Sequence, residues 1–253
     1  ITACLYAGKE EIGFTCGEEP RDKKEVERIL DVGKKDKWNI IGVKETEAKR
    51  TPKPPFITST LQQTASTRLG FAPSRTMMLA QRLYEAGHIT YMRTDSTTLS
   101  KEAQVSALKE IEKKFGKEYV EERVFKTKSK SAQEAHEAIR PSNLSMSGAG
   151  ANDEQKKLYK LIWQRTVASQ MADAKLLKTK IIVNLEKTPN SGAIPDFSIN
   201  GSRLMFDGWL KADSGAIGED SIVPKLNEGD KLSLVKIISE EKETLPPGRY
   251  TEA

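Results

Sequence analysis

Gly87-His88-Ile89-Thr90-Tyr91-Met92-Arg93-Thr94-Asp95-Ser96 is the stretch on which the reading of this chain turns. Gly87 stops a helical pattern, and His88 to Arg93 has the composition of a strand. Side chains two apart on a strand point to the same face. Tyr91 and Arg93 are therefore expected side by side, as a nucleophile and a planar cation that matches a phosphate. A free phenol, with a pKa of ~10, is a poor nucleophile at neutral pH without such help. A Tyr-x-Arg pair alone is equally at home on an ordinary surface, so its neighbours decide.

Upstream, Thr60 to Leu69 reads as a short helix ended by Gly70. Pro73 and Ser74 start a second, with Met77, Met78, Leu79, Leu83 and Tyr84 at helical spacing. Two short helices, a turn and a strand give a winged-helix-like outline. Gln81, Arg82 and Glu85 lie on the second helix, and Gln81 and Glu85 form an i,i+4 pair placed to line a cleft beside Tyr91. Downstream, Ser100 caps a helix to about Phe115, and Asn152 or Asp153 opens a long one to about Met171. Lys126 to Ser131 and Ser142 to Ala151 read as loops.

The flanks are different. Ile12 to Cys16, Trp38 to Val43, Thr179 to Leu185, Asp196 to Ser202, Leu204 to Trp209 and Lys231 to Ile238 read as strands, and Arg21 to Leu30 as a surface helix. Thr51-Pro52-Lys53-Pro54-Pro55 reads as a stiff linker and boundary. The class is α+β. The simplest organisation inserts a helical domain, 52–178, into a discontinuous β-rich domain, 1–51 plus 179–240, with 241–253 as an exit segment. Two separate β-domains are the alternative.

A second constellation is Ser131 to Ser142, where His136 and Arg140 share a face if the segment is helical. With Glu134 and Glu137 nearby it suits phosphate binding or proton handling, or else it is a capped surface helix. A third is Phe56 to Gln63, where the hydroxyls of Thr58 and Ser59 are either helix caps or phosphate contacts. Trp38, Trp163 and Trp209 sit in apolar surroundings and read as core.

Composition narrows the classes. Residues 52–178 carry 21 Lys and Arg against 13 Asp and Glu, while the rest of the chain carries 20 against 23. A basic middle in a mildly acidic frame points to a polyanionic partner, although lysines scattered over exposed helices give the same count. The stretch from Pro52 to Tyr84, with Lys53, Arg68, Arg75 and Arg82, has no acid at all. Two cysteines, Cys4 and Cys16, are too few for a disulfide scaffold and fit a reducing cytoplasm. Two histidines argue against a His-based metal site. No apolar run reaches the ~18 residues of a membrane helix.

Together, Pro55 to Gln63, Thr67 to Phe71, Met77 to Ser96, Glu134 to Ser142, Phe206 to Trp209 and Pro246 to Ala253 resemble the bacterial topoisomerase I branch of the type IA DNA topoisomerases. Met92 favours that branch over topoisomerase III. The resemblance implies a toroidal enzyme whose tyrosine-bearing helical domain is a lid hung on a β-rich arch. It implies Tyr91 as nucleophile and Arg93 as its phosphate-binding partner, and it puts His136 near the scissile or an adjacent phosphate. Gln81, Glu85, Thr90 and Asp95 are implied around the cleft, and Thr58, Ser59, Arg68, Arg82 and Arg140 are further candidates for DNA contact. The implied cofactor is Mg2+. The family's acidic metal-binding domain would precede Ile1, its helical base would follow Ala253, and no Asp-x-Asp occurs here, so no metal ligand is expected in this fragment. The implied partner is DNA, chiefly single-stranded or underwound, met by a monomer in the cytoplasm at the nucleoid, with no membrane. The topoisomerase part of a reverse gyrase, or a non-catalytic winged-helix module that binds DNA, would share many of these features.

The charge distribution gives a first prediction. The 253-residue chain alone binds single-stranded DNA weakly, affinity falls with added salt, and it does not relax supercoiled plasmid in magnesium. Titration at several salt concentrations and a plasmid relaxation assay check this.

Overall fold

Inward-facing residues alternate along the first two strands, β1 (Thr2–Ala7) and β2 (Glu10–Cys16), and register does the rest. Ala3 faces Phe14 and Leu5 faces Ile12 across this antiparallel pair. On its other edge β1 meets β6 (Lys231–Ile238), where Ala3 faces Ile237 and Leu5 faces Leu234, with a register shift between Cys4 and Leu5. The computed structural model describes residues 1–7, 10–35, 37–125, 137–186, 193–216 and 223–242. Within them β3 (Trp38–Arg50), β4 (Ala174–Leu185) and β5 (Phe197–Phe206) complete a closed barrel in the order β1-β2-β5-β4-β3-β6. Closure leaves no unpaired edge to recruit another strand.

The barrel is filled by Ala3, Leu5, Ile12, Phe14, Ile40, Ile181, Val183 and Phe197. Trp38 is fully buried and lies edge-on to Phe197 at 5.1 Å. Its indole N–H donates to the carbonyl of Gly33 at 3.0 Å, near the end of α1 (Lys23–Lys35). A Cβ on Gly33 would come within 2.8 Å of Ile237 Cδ1, so a larger residue there would make the Ile237 side chain shift.

The chain divides into two compact units. Ile1–Ala48, Leu176–Met205 and Glu219–Gly248 contribute to the barrel unit, and Lys49–Lys175 and Phe206–Gly218 to a helical unit. The helical unit is built on α2 (Thr58–Leu69), α3 (Pro73–Glu85), α4 (Lys101–Phe115) and α5 (Asp153–Ser169). From Leu158 onward α5 is buried on nearly all sides, and it packs against α2, α3 and α4. Ser100 and Asn152 accept from the backbone N–H groups of Ala103 and Gln155 and so cap α4 and α5.

Several expectations change. His88 to Arg93 forms no strand: a single bridge joins Ile89 to Pro141, and threonine hydroxyls take the places of further ladder partners. The described part of the second constellation, from Glu137 onward, is extended rather than helical, with Ile139 bridged to Phe56. His136 and Glu134 lie outside the described residues. Asp196 to Ser202 and Leu204 to Trp209 are not two strands. One strand ends at Phe206, and Gly208–Lys211 is a 3-10 turn in the helical unit. Gly208 makes that turn, because its φ is +49° and a Cβ there would meet the Ala172 carbonyl at 2.5 Å. The prolyl stretch is packed rather than free, since Pro52 and Pro55 are buried. Trp163 and Trp209 are buried as expected, each with its indole N–H on a carbonyl, of Leu144 and Arg50 respectively.

Trp38→Ala would open a cavity in the barrel core and remove the indole N–H from the Gly33 carbonyl. A loss of about 3–5 kcal/mol is expected, read as a lower denaturant midpoint.

Candidate active site

Gly87, at φ +73°, turns the chain out of α3, and the N–H groups of Gly87 and His88 close the turn on the carbonyls of Tyr84 and Leu83 at 2.8 and 2.9 Å. The His88 ring stands edge-on to Tyr159 at 6.2 Å. Beyond it the backbone is extended, and from Tyr91 the side chains alternate. Met92, Thr94 and Ser96 are buried; Tyr91, Arg93 and Asp95 are exposed. The period of two thus holds without a sheet, and it puts the phenol and the guanidinium on one outward edge.

Two straps hold this edge. On the first, the Thr58 hydroxyl accepts from Thr94 N–H at 3.0 Å and donates to the Met92 carbonyl at 2.8 Å, while Thr58 N–H donates to the Thr94 carbonyl at 3.0 Å. On the second, the Thr90 hydroxyl donates to the Ala138 carbonyl at 2.7 Å and accepts from Arg140 N–H at 2.9 Å. Thr90 N–H donates to the Arg140 carbonyl at 2.9 Å, and Ser142 N–H to that of His88 at 2.9 Å. Ile139 N–H donates to the Phe56 carbonyl at 2.8 Å and ties the straps together. Neither Thr58 nor Ser59 caps α2, whose N-cap residue is Ile57; Thr60, in the first turn, reaches back to accept from Ile57 N–H at 3.1 Å.

Charged groups brace the straps. Arg140 donates to Glu137 through Nε and Nη2 at 3.1 and 2.6 Å and to the Pro141 carbonyl at 3.0 Å. Glu137 also accepts from Ser100 N–H at 2.6 Å. Partial burial alone would raise the Glu137 carboxyl, but the hydrogen bonds from Ser100 and Arg140 and the Arg140 charge outweigh it and hold the group below the usual carboxylate value. Arg165, 7% exposed, lies over the Phe56 ring at 4.2 Å. Burial pushes it down to about 10, against the pull of Asp213 and with the help of Arg68, so it stays charged at neutral pH. Arg68 pairs with the buried Asp213 at 2.6 Å.

The sequence candidates therefore fall into two groups. Tyr91, Arg93, Asp95, Arg82 and Ser59 are exposed, and Gln81 donates to Glu85 at 2.7 Å at the exposed end of α3. Thr58, Thr90, Arg140 and Arg68 are engaged inside the unit by the partners named above. Glu137 and Arg165 carry more of the framework than their spacing alone announces. Tyr84 was expected among the apolar positions of α3; it is 40% exposed instead, and its ring meets that of Tyr91, itself 44% exposed, at 5.4 Å and 68°. Among the described residues no group of three or more His, Cys, Asp or Glu can hold a metal ion.

The profile of a family described as DNA topoisomerase matches residues 8–253. The chain belongs to the type IA DNA topoisomerase family. It is 41% identical over 229 residues to DNA topoisomerase 1 of Synechocystis sp., covering 85% of this chain and 25% of that protein. It is 40% identical over 246 residues to the enzyme of that name from Helicobacter pylori, covering 92% and 32%. With DNA topoisomerase 1 of Mycobacterium tuberculosis the identity is 44% over 234 residues, covering 85% and 25%. Full-length topoisomerase I from Thermotoga maritima superposes with a TM-score of 0.71 at 32% identity, over 92% of this chain and 38% of that one. The chain thus spans about a quarter to a third of the length of these curated topoisomerases. No described helix is long and apolar enough to cross a membrane.

The brace at Glu137 makes this topoisomerase segment acid-sensitive in a defined window. A carboxyl held below its ordinary value, near 4.5, contributes stability that is complete above that value and is lost as pH falls through the lower folded one. Glu137→Gln should therefore be less stable than wild type near neutrality, and the gap should close as pH drops below the ordinary carboxylate range. Urea midpoints measured from pH 7 to pH 3 check the sign.

Proposed function

We propose that this chain is the strand-cutting portion of an enzyme that relaxes negatively supercoiled DNA. The Tyr91 oxygen attacks a DNA phosphorus in line with the 3′ oxygen. An O–P bond to tyrosine forms as the P–O3′ bond breaks; the phenol gives up its proton and the departing 3′ oxygen gains one. The 5′ end stays on the protein as a phosphotyrosine, a second strand passes, and the 3′-hydroxyl reverses the exchange. One phosphoester replaces another, so no ATP is needed. The observation that carries this reading is the outward edge on which Tyr91 and Arg93 stand together, with buried residues between and beyond them.

Arg93, exposed and with no hydrogen bond or ion pair among the described residues, would meet the charge that develops on the phosphate. Asp95, Arg82, Ser59, Gln81 and Glu85 would line the path of a single or underwound strand, and His136 would reach a neighbouring phosphate. Thr58, Thr90, Arg140 and Arg68 would serve DNA binding by holding this surface, as their internal partners support. The helical unit would act as the lid and the barrel as part of the arch. Magnesium would be held by residues other than those described. The enzyme would work as a monomer in the cytoplasm, at the nucleoid.

The test uses the full-length enzyme that carries this chain. Tyr91→Phe removes one oxygen, so the denaturant-stable protein–DNA adduct should vanish while single-strand affinity is nearly unchanged. An adduct that survives in Tyr91→Phe would overturn the assignment.

A further inference from the structure

The backbone on both sides of Tyr91 is pinned, through Thr90 on one side and the Met92 carbonyl on the other. The Tyr91 side chain is not. Among the described residues its hydroxyl has no hydrogen bond, and its one ring contact is the edge-to-face pair with Tyr84. A phenol that is 44% exposed on a surface has several staggered rotamers open to it. An in-line attack uses one direction only, and misplacement of a reacting atom by ~1 Å is costly.

We propose that Tyr84 is the positioning residue for Tyr91, its ring selecting the rotamer from which the phenol attacks. Tyr84 occupies the last turn of α3, so a helix anchored by Leu79, Ala80 and Leu83 carries it. The Gly87 turn brings residue 91 back beside residue 84, and its positive φ is a conformation that a residue with a Cβ adopts only with strain. Pairs of this geometry are favoured because the positive edge of one ring meets the negative face of the other. The Tyr84 hydroxyl has no hydrogen bond among the described residues, so the ring alone performs this role.

This inference rests on Tyr91 as the nucleophile, and the experiment separates the two. Single-turnover cleavage of an oligonucleotide and its affinity are measured for the full-length enzyme as wild type, Tyr84→Leu, Tyr84→Phe and Tyr91→Phe. Tyr84→Leu should slow cleavage at saturating DNA by about three- to tenfold, the scale of one aromatic pair, with affinity and thermal midpoint unchanged. Tyr84→Phe, which keeps the ring, should restore the rate to within about twofold. In parallel, 19F NMR of the 253-residue chain labelled with fluorotyrosine follows the Tyr91 signal, assigned by its absence in Tyr91→Phe. That signal should move in Tyr84→Leu and move little in Tyr84→Phe. A wild-type rate and an unmoved Tyr91 signal in Tyr84→Leu would overturn the proposal. So would a loss confined to affinity, which would make Tyr84 a DNA contact, or a Tyr84→Phe variant as slow as Tyr84→Leu, which would make the hydroxyl the active group. An adduct that persists in Tyr91→Phe would instead overturn the nucleophile itself, and the NMR result would still decide whether Tyr84 orients Tyr91.

Discussion

The extended segment that carries Tyr91 has no sheet to lie in, yet every buried polar group along it needs a partner. Two threonine hydroxyls solve this. Thr58 accepts from Thr94 N–H and donates to the Met92 carbonyl where a strand would have paired, and Thr90, on the segment itself, answers the Arg140 N–H and Ala138 carbonyl of the facing segment. A hydroxyl suits the task because it is donor and acceptor at once, on a stem short enough to lie against the backbone. The consequence is a segment fixed from both sides whose outward residues stay uncovered.

The supports behind the straps are electrostatic and mostly withdrawn from water. Arg140 and Glu137 brace one strap, Arg165 lies over Phe56 of the other, and Arg68 pairs with Asp213 behind α2. Cations engaged in this way have their partners inside the unit. The exposed charge at Arg93 is a separate resource. A count of basic residues over 52–178 merges the two kinds, which is why the excess of charge indicates a polyanion without indicating which residues touch it.

Local signals were legible because they depend on neighbours in the chain. Gly70 and Gly87 end α2 and α3, Ser100 and Asn152 open α4 and α5, and the alternation from Tyr91 to Ser96 follows from the pleat of an extended backbone. The strings around Tyr91 were specific enough to point to the family. What misled was the step from alternation to a strand. Alternation reports an extended chain with one buried side, and it is silent about whether the partner is a strand or a hydroxyl. Tyr84 misled for a related reason: at the end of a helix the apolar stripe runs out, and spacing alone no longer says which side faces the core.

Thus the sequence by itself determined where the helices lie, the residues that cap or stop most of those in the helical unit, the shared outward exposure of Tyr91 and Arg93, and the family, while α1, read as ending at Leu30, runs on to Lys35. Only the tertiary structure decided the strand order of the barrel, the meeting of Phe56 with Ile139 and of Ile89 with Pro141, the membership of Phe206–Gly218 in the helical unit, and the contact of Tyr84 with Tyr91. The physical reason is that periodicity fixes which way a side chain points relative to its own backbone. Which distant segment covers it is chosen among many pairings that satisfy the same pattern, by burial and hydrogen-bond completion over the whole unit.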